Sequence, residues 1–139
     1  MPLPLPLQSL NHIARLTNNL DATRAFYRDI LGFRPIKRPN FPFPGAWLFK
    51  YGVQIHLIAT KQTEEPNCGQ ISTRADHVAF HVPDIKQVEN LLKQHGIAYQ
   101  SNFVKDTGVT QMFFHDPDGN HIEVGTYPPV QELPDESLQ

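Results

Sequence analysis

The 139-residue sequence holds one cysteine, one tryptophan and two methionines. No apolar run approaches the roughly 20 residues that a membrane-spanning helix needs. The lone Cys68 cannot close an intrachain disulfide, which fits the reducing cytoplasm expected for this chain. Neither sign of charge dominates: 12 Lys+Arg against 14 Asp+Glu leaves a formal net charge of −2. That balance builds no basic field for nucleic acid. The opening Met1-Pro-Leu-Pro-Leu-Pro-Leu7 lacks the basic start and unbroken apolar stretch of a signal peptide. The expectation is therefore a soluble, cytoplasmic chain, with no nucleic acid and no membrane among its partners. Its length suits one domain or two small modules sharing a core. Against these shortages stand seven histidines.

Two segments differ in composition from the rest. The tail 128–139 is rich in proline and acid, without periodicity, and is expected to be loose. The polar stretch 61–75 contains Pro66 and Gly69 and is read as a linker. With residues 1–9 as an N-terminal extension, two patterned halves remain, 10–60 and 76–127.

The halves repeat each other. Asn11-His-Ile-Ala14 and Asp76-His-Val-Ala79 each open a strand-like run that leads into a helix-like segment. In the first half Asn18 is the expected N-cap, answered by Asp21. Apolar residues follow at Ala22, Ala25, Phe26, Ile30 and Phe33, and Gly32 is placed for a left-handed cap. In the second, Asp84 caps, Gln87 takes the capping-box position, Val88, Leu91 and Leu92 form the stripe, and Gly96 ends it. Two further strands are expected in each half, over 34–38 and 46–51, then over 98–104 and 110–114. Asp116-Pro-Asp-Gly119 signals a tight turn. Gly52-Val-Gln-Ile-His56 and Gly119-Asn-His-Ile-Glu123 close the halves with a shared pattern. Each half thus reads β-α-β-β-β, an α+β chain.

Alternation along the strands sorts the polar residues. Val53, Ile55 and Leu57 oppose Gln54 and His56. Val78, Phe80 and Val82 oppose His77, Ala79 and His81, and Ile122 and Val124 oppose His121 and Glu123. In the first strand Ile13 opposes His12, Ala14 and Leu16. Opposite the aliphatic faces stand His12, His56, His77 and Glu123, one per strand. Three imidazoles and a carboxylate form a donor set for a borderline divalent metal, if the strands meet in one curved sheet.

Asn11-His12, Phe26-Tyr-Arg-Asp-Ile-Leu-Gly-Phe33, Asp76-His77 and Phe114-His-Asp-Pro-Asp-Gly-Asn-His-Ile-Glu123 carry a family resemblance from about Leu10 to Tyr127. The chain resembles the vicinal oxygen chelate superfamily, which includes glyoxalase I, fosfomycin-resistance thiol transferases, methylmalonyl-CoA epimerase, extradiol dioxygenases and bleomycin-binding proteins. The resemblance implies two βαβββ modules forming a cupped eight-stranded mixed sheet with helices on the convex side. It implies one divalent metal per site (Ni, Co, Zn, Mn or Fe) held by His12, His56, His77 and Glu123. It also implies a homodimer, since glyoxalase-like members build each site from a module of each chain.

The activity so implied is a glyoxalase I-like lyase or isomerase acting on a small-molecule substrate that chelates through oxygen. A glutathione adduct, the hemithioacetal, is the candidate. Such chemistry requires a Lewis acid for developing oxyanion charge and a base beside the C–H, for which Glu123 is the candidate catalytic residue. His56 departs from the pattern, because glyoxalase I usually places a glutamate there. Alternatives are an extradiol-type iron dioxygenase, a thiol transferase that leaves His56 spare, or a non-enzymatic binder of the bleomycin-resistance kind. Arg15, Arg38, Lys50 and Lys105 are weaker candidates to meet a substrate anion, and Phe41-Pro-Phe-Pro-Gly45 with Trp47 to wall a pocket. His81 and His121 share the faces of His77 and Glu123, His115 precedes the turn, and His95 suits a helix C-terminus.

Overall fold

A β-α-β-β-β order appears twice. The computed structural model describes residues 2–61 and 69–136. The chain divides into two compact units, Met1–Glu65 and Pro66–Gln139. Residues 62–68 of the expected linker, Cys68 among them, lie outside the described residues.

The first unit runs β1 (His12–Thr17), α1 (Leu20–Asp29), β2 (Arg34–Ile36), β3 (Gly45–Lys50) and β4 (Val53–Ala59). The sheet order is β1-β4-β3-β2, with β1 parallel to β4 and the other pairs antiparallel. The crossover through α1 is what allows a parallel neighbour, since a tight hairpin joins only antiparallel strands. The N-cap of α1 is Asn19, not Asn18: the Asn19 side chain accepts from the Ala22 amide at 3.1 Å. Thr17 decides this, accepting from the Asn19 amide and donating to Thr23, with both threonines buried. The buried face of α1 is accordingly Thr23 and Tyr27, while Ala22 is exposed. Gly32 and Gly96 follow the two helices at φ +81° and +69°, a region that costs a side chain dearly.

Strand limits shift for local reasons. The second strand stops at Ile36, and Arg38 turns to donate to the Phe43 carbonyl at 2.7 Å. The third ends at Lys50 because Tyr51 turns left-handed, φ 55°. Its hydroxyl donates to the Leu31 carbonyl and its ring meets Phe33 edge to face, contacts that hold this unfavoured backbone. Leu48, Ile55 and Leu57 join Tyr27 and Phe33 in the core of this unit.

The second unit repeats the plan with β5 (His77–His81), α2 (Ile85–Gln94), β6 (Gln100–Val104), β7 (Val109–His115) and β8 (His121–Gly125). Its order is β5-β8-β7-β6, again with one parallel pair, β5 with β8. Asp84 caps α2 as expected, accepting from Lys86 and Gln87 amides. Of the expected stripe only Leu92 is buried; Leu91 is 43% exposed. β6 starts at Gln100 rather than Ala98, since the Ile97 amide still caps the Leu92 carbonyl and Tyr99 donates to Glu89 on α2. Asp116 forms the turn before β8, accepting from the Asp118 and Asn120 amides and from the Asn120 side chain. Beyond β8 the tail carries one turn of 3-10 helix, Val130–Glu132, where no regular structure was expected.

The α+β class and the doubled βαβββ order are therefore as the sequence predicts. Among the described residues, no helix is long and apolar enough to cross a membrane.

Candidate metal centre

In the first unit, strand register lines up an aromatic row. Trp47 on β3 pairs with His56 on β4, and His56 with Ala14 on β1, next to His12 on the same face. The three rings stack: Trp47 on His56 at 3.9 Å and 4°, His56 on His12 at 4.0 Å and 12°. His12 Nδ1 meets the Asn11 side-chain oxygen at 2.8 Å, while Nε2 makes no hydrogen bond among the described residues. His56 is more enclosed; Nε2 meets Gln54 Oε1 at 2.8 Å. Burial, and then the nearby His12 charge, push the His56 pKa down.

The second unit carries the imidazole–carboxylate pair. On β5, His77 Nδ1 lies 2.7 Å from the Ala75 carbonyl, which only accepts, so Nδ1 carries the hydrogen. His77 Nε2 then faces Glu123 Oε1 at 3.2 Å. A bare lone pair against a carboxylate oxygen is repulsive, so the contact is favourable only with something positive between or on them, a proton or a metal cation. This donor chemistry fits a divalent ion.

Glu123 is buried, 6% exposed, on a face where a carboxylate needs partners. Besides His77 it has the Tyr127 hydroxyl, which donates to Oε2, and a long 3.5 Å contact from Gln111 Nε2. Asn102 on β6 in turn donates to Gln111 Oε1, which aims the Gln111 amide at Glu123. Burial first, then the hydrogen bond and charge of Glu123, push the Tyr127 phenol well above its usual pKa, so it stays a donor. Phe113 sits beside Glu123 in register as Trp47 sits beside His56.

The remaining histidines are engaged elsewhere. His121 Nε2 accepts from the Ser72 amide at 2.9 Å and meets His115 Nε2 at 3.1 Å; burial, then His115 and His77, push its pKa down. His81 Nδ1 accepts from the Tyr127 amide. His95 caps α2 at its C-terminus. Among the candidate cations, Arg15 shares the face of Ile13, away from His12. The Arg38 guanidinium lies over the Phe41 and Phe43 rings at 5.0 and 4.8 Å and so orders the loop before β3.

Each unit therefore supplies two of the four expected donors as a close pair: His12 with His56, and His77 with Glu123. Among the described residues no three or more such side chains group as a complete metal site. The sequence reading missed Tyr127. Its signal was present in Glu123-Val-Gly-Thr-Tyr127, where positions 123, 125 and 127 share strand parity.

The model of the Glyoxalase/Bleomycin resistance protein/Dioxygenase superfamily matches residues 9–124. The chain is 42% identical over 125 residues to a protein named Glyoxylase I 4 from Arabidopsis thaliana, covering 87% of this chain and 72% of that one. Among solved structures, a glyoxalase/dioxygenase from Nostoc punctiforme has a TM-score of 0.72 at 25% identity, over 93% of this chain and 97% of that one. A lactoylglutathione lyase from Agrobacterium tumefaciens has a TM-score of 0.66 at 20% identity, over 87% and 95%, and shares the fold. The chain belongs to the Glyoxalase/Bleomycin resistance protein/Dioxygenase superfamily.

Proposed function

We propose that this chain is a divalent-metal-dependent lyase or isomerase of the glyoxalase I-like type. Its substrate is a small molecule with two adjacent oxygens, and a glutathione hemithioacetal is the first to test. The observation that carries this reading is the His77–Glu123 pair, whose facing Nε2 and Oε1 are 3.2 Å apart while Nδ1 is committed to a carbonyl. The 42% identity to the protein named Glyoxylase I 4 supports it.

One metal ion per site would be held by His12, His77 and Glu123, with His56 joining by swinging out of its stack. Nickel, cobalt, zinc, manganese and iron all suit imidazole and carboxylate. When bound, the ion supplies Lewis acidity that stabilises oxyanion charge on the substrate. Glu123, once its Oε1 shifts off the ion, would remove a proton from the carbon beside the substrate carbonyl and return it to the neighbouring carbon. The proposal includes the joining of the two sheets into one eight-stranded cup, a homodimer, and a cytoplasmic location.

The His56 stack favours a second reading. Three protein donors leave more positions open than four, as extradiol-type iron oxygenation or thiol transfer requires. Turnover of a hemithioacetal panel by metal-loaded protein separates the two. Isomerisation without oxygen uptake supports the first reading, and Glu123→Gln should then lower kcat by about 100-fold or more with a smaller change in KM. Oxygen consumption with catechols, and none of the former activity, would replace it with the second.

A further inference from the structure

Glu123, Gly125 and Tyr127 stand two residues apart, so side chains at these positions lie on one face of the strand and its extension. Tyr127 is tied down at both ends. Its backbone N–H donates to His81 Nδ1 at 2.9 Å, and its hydroxyl donates to Glu123 Oε2. Between them its ring lies directly over Gly125. A Cβ at 125 would stand 2.8 Å from the Tyr127 Cζ, 2.9 Å from its hydroxyl and 3.1 Å from the Thr110 carbonyl. Only glycine leaves that path open. The first half has Ile58 and Thr60 at the corresponding places, so the device belongs to the second half alone.

We propose that Tyr127 is a positioning residue that restricts Glu123 to a single donor oxygen. The phenol occupies Oε2, and Gln111 approaches the same atom at 3.5 Å, so Oε1 alone is presented beside His77 Nε2. This rests on the reading of Glu123 as a metal ligand. A free carboxylate can grip a cation with both oxygens, filling two positions. Held to one, it leaves a position for a substrate oxygen. The restriction keeps that position open for the second oxygen of a chelating ligand.

The experiment loads wild-type protein and the Tyr127→Phe variant with cobalt(II), records the visible spectra, and titrates each with acetohydroxamate, a two-oxygen chelator. In Tyr127→Phe, Oε2 is released and joins the ion. The expected result is a weaker visible band, as coordination number rises, with cobalt retained and acetohydroxamate bound about tenfold more weakly. Gly125→Ala, which displaces the ring but keeps the phenol, should shift both readouts in the same direction. It covers the case in which Tyr127→Phe fails to fold. Folded variants with wild-type spectra and wild-type chelator affinity would overturn the restriction. So would loss of cobalt from Tyr127→Phe, which would make Tyr127 a support for the site rather than a limit on it. A wild-type protein that takes up no cobalt instead refutes the metal reading itself, and the restriction falls with it.

Discussion

The imidazole rings of His12 and His56 lie face to face, their centroids 4.0 Å apart and their planes 12° from parallel. A metal bound to an imidazole nitrogen lies in the plane of that ring, along the lone pair. Two stacked, near-parallel rings share no such point, so in these rotamers one ion can sit on one of them but not on both. His12 is the exposed partner, whereas His56 is clamped on its other face by Trp47. His12→Ala should therefore weaken metal binding far more than His56→Ala, which is expected to stay within about tenfold of wild type. Isothermal titration with zinc or nickel reads the difference. Equal losses in the two variants would show that His56 ligates as strongly as His12, with leaving the stack costing nothing.

Trp47 is the only tryptophan, so its fluorescence reports on that stack. Removing the flat neighbour in His56→Ala opens one indole face to water. The emission maximum should move to longer wavelength, while His12→Ala, which leaves the Trp47–His56 contact in place, should shift it less. Identical spectra for wild type and His56→Ala would deny the stack in solution.

His77 is the pivot of the second pair. Its Nδ1 bond to Ala75 fixes the ring so that Nε2 meets Glu123. His77→Ala should strip the metal and leave a buried carboxylate with one partner fewer. Metal content measured after gel filtration checks this, and unchanged stoichiometry would remove His77 from the ligand set.

Asp116 has a structural role that is separable from the site. It is 2% exposed and accepts two amides through Oδ1 and the Asn120 side chain through Oδ2. Asp116→Ala leaves those donors unsatisfied and should cost about 2–4 kcal/mol, seen as a lower denaturant midpoint with unchanged slope. Asp116→Asn keeps an acceptor and should cost less. Equal stability of Asp116→Ala and wild type would mean that water replaces the carboxylate at no cost.

The repeated order, the caps at Asp84, Gly32 and Gly96, and the strand faces were legible because alternation and capping are local signals. Parity alone could sort His12, His56, His77 and Glu123, each to the face opposite the aliphatic residues of its own strand. What parity cannot express is how side chains meet across strands. The His56 stack depends on Trp47, nine residues away in sequence but its direct partner in register. The hold on Glu123 depends on Tyr127 crossing a bare Gly125, a pattern of three residues that carries no secondary-structure signal. The cap falls at Asn19 rather than the expected Asn18 for a similar reason, since its place is set by the buried Thr17–Thr23 hydrogen bond. The short second strand likewise reflects Arg38 turning onto Phe41 and Phe43.

The central claim is that the donors of the two halves hold a divalent metal. Elemental analysis of protein purified without a metal-affinity tag, before and after incubation with divalent ions and gel filtration, tests it most directly. The account predicts about one ion of nickel, cobalt, zinc, manganese or iron per site, lost in His77→Ala. Protein that carries none of these ions and retains none after incubation would contradict it.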